Sequence, residues 1–211
     1  MKAKSVFICN QCGNETPRWQ GQCPACGAWN SIVEFEDKKP AGNKSVSGVK
    51  TGASAPKKLR ELDASDRQIR FSTGLGELDR VLGGGGVKGS LVLVGGAPGI
   101  GKSTLLLQMC QEMCKNARVL YVSGEESAEQ VAMRFSRLGL SSGMEFMAET
   151  QAELILAAAE QKKPEILIVD SIQTMNLAAV ASSPGSVTQV RECAAAIMRA
   201  AKQSDTPVFV V

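Results

Sequence analysis

The sequence predicts an α/β fold, a parallel sheet with helices on both faces, preceded by a small four-cysteine module. Three observations predict it. Gly96-Ala97-Pro98-Gly99-Ile100-Gly101-Lys102-Ser103-Thr104 carries a glycine, four residues and then Gly-Lys-Ser, between an apolar run and a helical pattern. From there to the C-terminus, strand-like and helix-like segments alternate, which argues for parallel strands joined by crossover helices. Near the N-terminus, Cys9-x-x-Cys12 and Cys23-x-x-Cys26 form two pairs at metal-ligand spacing. The expected organisation is a module over 1–36, a linker over 37–65 and a nucleotide-binding core over 66–211.

The module comes first. Gly13 and Gly27 each follow a cysteine pair and let the backbone turn so that N–H groups aim at the sulfurs. Four thiolates at this spacing suit tetrahedral Zn²⁺ in a closed structural site. Iron in a rubredoxin-like site, a redox dithiol and unmetallated cysteines are the alternatives. So short a segment buries little apolar surface, so metal supplies most of its stability, on the order of 10 kcal/mol. Trp19 and Trp29 flank the second pair and are expected to cover the metal as a miniature core; stacking on nucleobases is the other reading. Cys110, Cys114 and Cys193 fall in apolar helical patterns and are expected to be buried thiols.

The linker shifts to Lys, Pro, Gly, Ser and Ala without an apolar period, the composition of a flexible basic tether. Residues 1–60 hold ten Lys/Arg against four acids, although the whole chain is only +3. That local excess leans towards a polyanionic partner.

The core follows. Residues 71–82 read as a short strand or turn and then a helix, and Gly83–Gly86 as a turn. Leu91–Val94 is the strand feeding the phosphate loop. Glycines let successive backbone N–H groups point at phosphate oxygens, and the helix from Lys102 adds its N-terminal N–H groups and dipole. Lys102 can reach the β- and γ-phosphates of ATP, and Ser103 can place its hydroxyl on Mg²⁺. Strands are expected at 117–122, 144–147 and 165–170, and helices at 128–138, 151–161 and 188–202. Asp170 ends an apolar strand at the edge where ligands bind in such sheets, and suits Mg²⁺ held directly or through water. Glu125 and Glu126 end another strand. Hydrolysis needs a group that orients the attacking water; Glu125 is favoured for that role, with Glu126, or neither, as the alternatives. Residues 179–187 read as a loop near this edge, either nucleic-acid-contacting or an ordinary connection.

Several classes are excluded. Histidine is absent, which removes imidazole ligands and His-based bases and triads. No apolar run approaches the ~20 residues that span a bilayer, and the N-terminus lacks the pattern of a secretion signal. A cytoplasmic protein is expected. A small-molecule kinase is disfavoured by the cysteine module, whereas a nucleotide-gated switch whose module binds protein remains an alternative.

The order of motifs adds a resemblance. Trp-x-Gly-x-Cys-Pro-x-Cys-Gly-x-Trp is followed by Leu-Asp-Arg-Val-Leu-Gly-Gly-Gly and Gly-Ala-Pro-Gly-Ile-Gly-Lys-Ser-Thr. Tyr-Val-Ser-Gly-Glu-Glu-Ser, Ile-Val-Asp-Ser-Ile-Gln-Thr and Ser-Ser-Pro-Gly-Ser-Val-Thr-Gln-Val-Arg-Glu complete the series. This resembles the bacterial RadA (Sms) family of RecA-like DNA repair ATPases, over nearly the whole chain except the linker. The resemblance implies a RecA-type P-loop core working as a homo-hexameric ring. It implies single-stranded and branched DNA as partners, with ATP-driven branch migration alongside the RecA recombinase. Carried onto matching positions, it implies zinc on Cys9, Cys12, Cys23 and Cys26, nucleotide on Gly96–Thr104, magnesium on Ser103 and Asp170, and catalytic roles for Glu125 and Lys102. The family's Lys-Asn-Arg-Phe-Gly motif and Lon-protease-like domain do not occur in these 211 residues. Weak hydrolysis by this stretch alone is therefore expected.

Overall fold

The computed structural model describes residues 5–36 and 70–211. The expected linker over 37–65 lies outside the described residues.

The module is a three-stranded antiparallel sheet in the order β2-β1-β3, built from β1 (Ser5–Cys9), β2 (Glu15–Thr16) and β3 (Ile32–Glu36). Its buried centre is small: Cys9, Cys23 and Ile32, with Phe7 and Cys12 packed beside them. The tryptophans are not part of it. Trp19 is 58% exposed and Trp29 72% exposed, which corrects the expected aromatic cover. The reason is local, since both rings flank Gly21, 3.8 Å from where a Cβ would stand, at the rim of the module.

The core begins with a two-stranded ribbon, β4 (Arg70–Phe71) against β5 (Gly86–Val87), enclosing helix α1 (Gly76–Val81) and the glycine turn. Asp79 holds the entry to α1. Its Oδ1 accepts from the Thr73 N–H at 2.8 Å and the Thr73 hydroxyl at 2.7 Å, and its Oδ2 from the Ser72 hydroxyl at 2.5 Å. Burial pushes the Asp79 carboxyl up, but these three donors outweigh it and leave it below the usual carboxylate range.

The main sheet is five-stranded and wholly parallel, in the order β6-β10-β9-β7-β8. Its strands are β6 (Leu91–Leu93), β7 (Val119–Ser123), β8 (Glu145–Ala148), β9 (Ile166–Asp170) and β10 (Val208–Val210). The crossovers are α2 (Lys102–Met113), α3 (Ala128–Arg137), α4 (Ala152–Lys162) and α5 (Val187–Ser204). Successive side chains of a strand point to opposite faces, so each central strand feeds two cores. Val119, Tyr121, Ile166, Ile168 and Phe209 pack against Leu106, Leu107, Met109, Cys110 and Met113 of α2 and Val131 of α3. Leu120, Val122, Leu167, Val169, Val208 and Val210 pack against Ala152 and Ile155 of α4 and Cys193, Ile197 and Ala201 of α5. Burial on both faces explains why β7, β9 and β10 read as unbroken apolar runs. The expected helices on both faces are present, and element ends differ from the expected ones by one or two residues.

Cys110 and Cys193 are buried as expected, whereas Cys114 is only half-buried at the C-terminus of α2. Among the described residues no helix is long and apolar enough to cross a membrane.

Candidate functional site

Parallel strands put their carboxyl ends at one edge, and loops leaving that edge build the site. The loop after β6 runs from 94 to 101 and turns into α2 at Gly101. Gly101 has φ 102°, a left-handed conformation that a side chain strains against. That turn aims the first N–H groups of α2 back towards the loop. Lys102 extends over the same loop, and its ammonium donates to the carbonyls of Gly96 at 3.0 Å and Ala97 at 3.1 Å.

The loop after β7 carries the two glutamates. Gly124 is required by close approach, because a Cβ there would overlap the Thr174 side chain. Its N–H donates to the Asp170 carbonyl at 2.9 Å, which locks the β7 and β9 exits together. Ser127 then caps α3 reciprocally with Gln130, and this fixes where Glu125 and Glu126 lie. The two acids have different partners. Glu125 Oε1 accepts from the Ser171 hydroxyl at 2.5 Å and from the Gln173 amide at 2.7 Å. The Ser171 bond, then the Gln173 bond, and more weakly the positive charge of Lys102, hold the Glu125 carboxyl below the usual range against the opposing effect of burial. Glu126 is instead ion-paired with Arg134 of α3.

Asp170 ends β9, directly opposite Ser123 of β7. It is 6% exposed, and Tyr121 donates its hydroxyl to Asp170 Oδ2 at 2.6 Å. Burial, and then the charge of Asp170, push the Tyr121 phenol far up, so the proton stays on the phenol.

These groups share one open cleft of 640 Å³. Of the residues expected to bind nucleotide, Gly96, Pro98, Gly99, Gly101, Lys102, Ser103 and Thr104 line it, together with Asp170 and both glutamates. Ala97 and Ile100 belong to the same loop but not to the lining. Arg134, Arg137, Ser171 and Gln173 also line the cleft and were missed by the sequence reading. The Asp-Ser-Ile-Gln run after β9 was visible, but nothing in its spacing tied Ser171 and Gln173 to a glutamate 46 and 48 residues away. The cleft therefore combines a glycine-rich loop and a helix N-terminus, one lysine, the Ser103 and Thr104 hydroxyls and three separately held carboxylates. That set matches the needs of a triphosphate with its magnesium.

The cysteines form a second site. Their four sulfurs lie within 4.8 Å of one another. Cys9 and Cys26 are 3.7 Å apart and Cys12 and Cys23 are 3.6 Å apart. Tetrahedral zinc with Zn–S of about 2.3 Å requires sulfurs roughly 3.8 Å apart, so the set fits. The two knuckles repeat the same local geometry. Gly13 donates its N–H to the Cys9 carbonyl at 2.8 Å, and Gly27 to the Cys23 carbonyl at 2.9 Å, both with φ 73°. The N–H groups of Gln11 and Cys12 point at the Cys9 sulfur, and those of Ala25 and Cys26 at the Cys23 sulfur. Burial raises the Cys9 thiol, but the Ser31 hydroxyl and these N–H groups bring it down to about 6. N–H groups already aimed at the Cys9 and Cys23 sulfurs suit a structural metal.

Comparison with known proteins finds a family over each of the two regions. Residues 7–34 match the family described as rubredoxin metal binding domain, and residues 55–211 match the AAA domain family. The chain is 50% identical over 211 residues to the DNA repair protein RadA of Haemophilus influenzae. It is 48% identical over 213 residues to that of Escherichia coli and 47% identical over 215 residues to that of Bacillus subtilis. Each alignment takes in 99–100% of this chain but 46% of the relative, so the chain spans about half the length of the curated relatives it matches.

Proposed function

We propose, from the premise that this chain belongs to the AAA domain family, that it carries the ATP-hydrolysing site of a DNA repair motor. The observation that supports this best is the single cleft in which Lys102 and Ser103 face Asp170 and Glu125.

In this reading the N–H groups of Gly99–Ser103 bind the β-phosphate of ATP, and Lys102 bridges β- and γ-oxygens. Ser103 and Asp170 would hold Mg²⁺, which would supply positive charge to offset that on the leaving diphosphate. Glu125 takes a proton from water as the water oxygen attacks the γ-phosphorus. The bond from that phosphorus to the β–γ bridging oxygen breaks, and ADP leaves with its electron pair. The lowered affinity of Glu125 for protons keeps it ionised at neutral pH, as a water-orienting acceptor must be. Glu126 is committed to Arg134 and serves the shape of the β7–α3 turn.

The four cysteines hold zinc as a structural ion and give the module its fold. The exposed Trp19 and Trp29 leave the module able to contact a partner. Similarity to the RadA relatives supports DNA as that partner. Single-stranded and branched DNA, branch migration with RecA and a hexameric ring come from the resemblance.

The test is ATP turnover of the whole protein with and without branched DNA over a salt series, with Lys102→Ala as control. The reading predicts DNA-stimulated turnover that falls steeply with salt and is abolished by Lys102→Ala. Turnover indifferent to DNA at low salt, or unchanged in Lys102→Ala, contradicts it.

A further inference from the structure

Asp170 is the acid whose placement matters most, and it receives its support from behind. It is buried, and a buried carboxylate without a donor is costly. Among the described residues, one side-chain hydrogen bond reaches it, from Tyr121 at 2.6 Å. Tyr121 is itself 1% exposed on β7, the strand beside β9, and does not line the cleft. Its ring stacks on Phe146 of β8, with centroids 6.1 Å apart and planes at 21°. The phenol therefore arrives on a packed support, from the α2/α3 face of the sheet. It occupies Oδ2 of Asp170, and among the described residues no donor reaches Oδ1.

We propose that Tyr121 is a positioning residue for the metal: its hydroxyl fixes the Asp170 carboxylate so that Oδ1 is presented to magnesium. The inference rests on the reading of Asp170 as the magnesium-holding acid and adds the group that orients it. A donor behind a ligating carboxylate fixes the orientation and basicity of the ligand, and its loss commonly weakens metal binding by roughly 10-fold or more. If Tyr121 only filled core volume, phenylalanine would serve equally.

The experiment measures metal affinity directly. Mn²⁺ binding to the ADP complex of the whole protein is followed by electron paramagnetic resonance, and ADP affinity by calorimetry with magnesium and with chelator. Tyr121→Phe is expected to weaken Mn²⁺ binding by about 10-fold while ADP affinity in chelator stays at the wild-type value. Phe146→Leu, which loosens the ring's packing but keeps the hydroxyl, is expected to lower the melting temperature and to weaken Mn²⁺ binding far less than Tyr121→Phe does. In an Asp170→Asn background, Tyr121→Phe is expected to add no further loss. Unchanged Mn²⁺ affinity in Tyr121→Phe, an equal loss in Phe146→Leu, an additive loss on top of Asp170→Asn, or failure of Tyr121→Phe to fold overturns the inference. If Asp170→Asn itself leaves Mn²⁺ affinity unchanged, the reading of Asp170 fails first.

Discussion

The Glu125 carboxylate and the Ser171 hydroxyl meet at 2.5 Å, joining the exits of adjacent strands β7 and β9. Gln173 closes on the same oxygen at 2.7 Å. The neighbouring Glu126, in the same cleft, is ion-paired with Arg134. Two adjacent acids of the same type are thus assigned different work by their partners.

The first prediction follows from that division. Glu125→Gln should lower ATP turnover by about 10²–10⁴-fold, the usual contribution of a positioned general base, and leave ADP affinity near wild type. Glu126→Gln should cost far less turnover. Steady-state turnover and equilibrium ADP binding on both variants check this, and the reverse order of losses contradicts it.

A second prediction concerns the metal module. Cys23→Ser removes a buried ligand that also anchors the second knuckle. Metal binding supplies folding energy on the order of 10 kcal/mol in such modules, so the variant should lose its ion and the module its protection from protease. Elemental analysis of the purified protein should find one zinc per wild-type chain and none in the variant. Full metal retention, or iron in place of zinc, counts against the assignment.

The third prediction is a pH dependence of stability at Asp79. Its carboxyl is depressed by the Ser72 and Thr73 donors in spite of burial. A depressed carboxylate stabilises the fold fully above its unfolded value of about 3.9, and that contribution is lost as pH falls through the lower, folded value. Asp79→Asn should therefore destabilise the protein at pH 7, by roughly 1 kcal/mol given the partial exposure of the group. The difference should narrow in strong acid. Thermal unfolding of both proteins across pH 7 to 3 measures it, and a gap that widens on acidification contradicts the account.

Much of this was legible from sequence, for identifiable reasons. The phosphate loop declares itself because its function is carried by backbone and spacing, which local sequence encodes. The core strands declare themselves because Ile166–Val169 and Val119–Val122 are buried on both faces and so read as continuous apolar runs. The knuckles show because Gly13 and Gly27 must adopt positive φ after each cysteine pair. What stayed hidden depends on strand order. Tyr121 meets Asp170, and Ser171 meets Glu125, only because β7 and β9 are neighbours. No local pattern announces that pairing. The tryptophans misled because aromatic residues beside cysteines suggest a core, whereas so small a module has no room to enclose two indoles.

ATP hydrolysis at this cleft depends on where the phosphates of the nucleotide sit. A crystal structure of the protein with ADP and magnesium tests this most directly. The β-phosphate is expected within hydrogen-bond distance of the Gly99–Ser103 N–H groups and Lys102 Nζ, with the metal between Ser103 and Asp170. Nucleotide bound away from that loop, with Lys102 still on the Gly96 and Ala97 carbonyls, would contradict it.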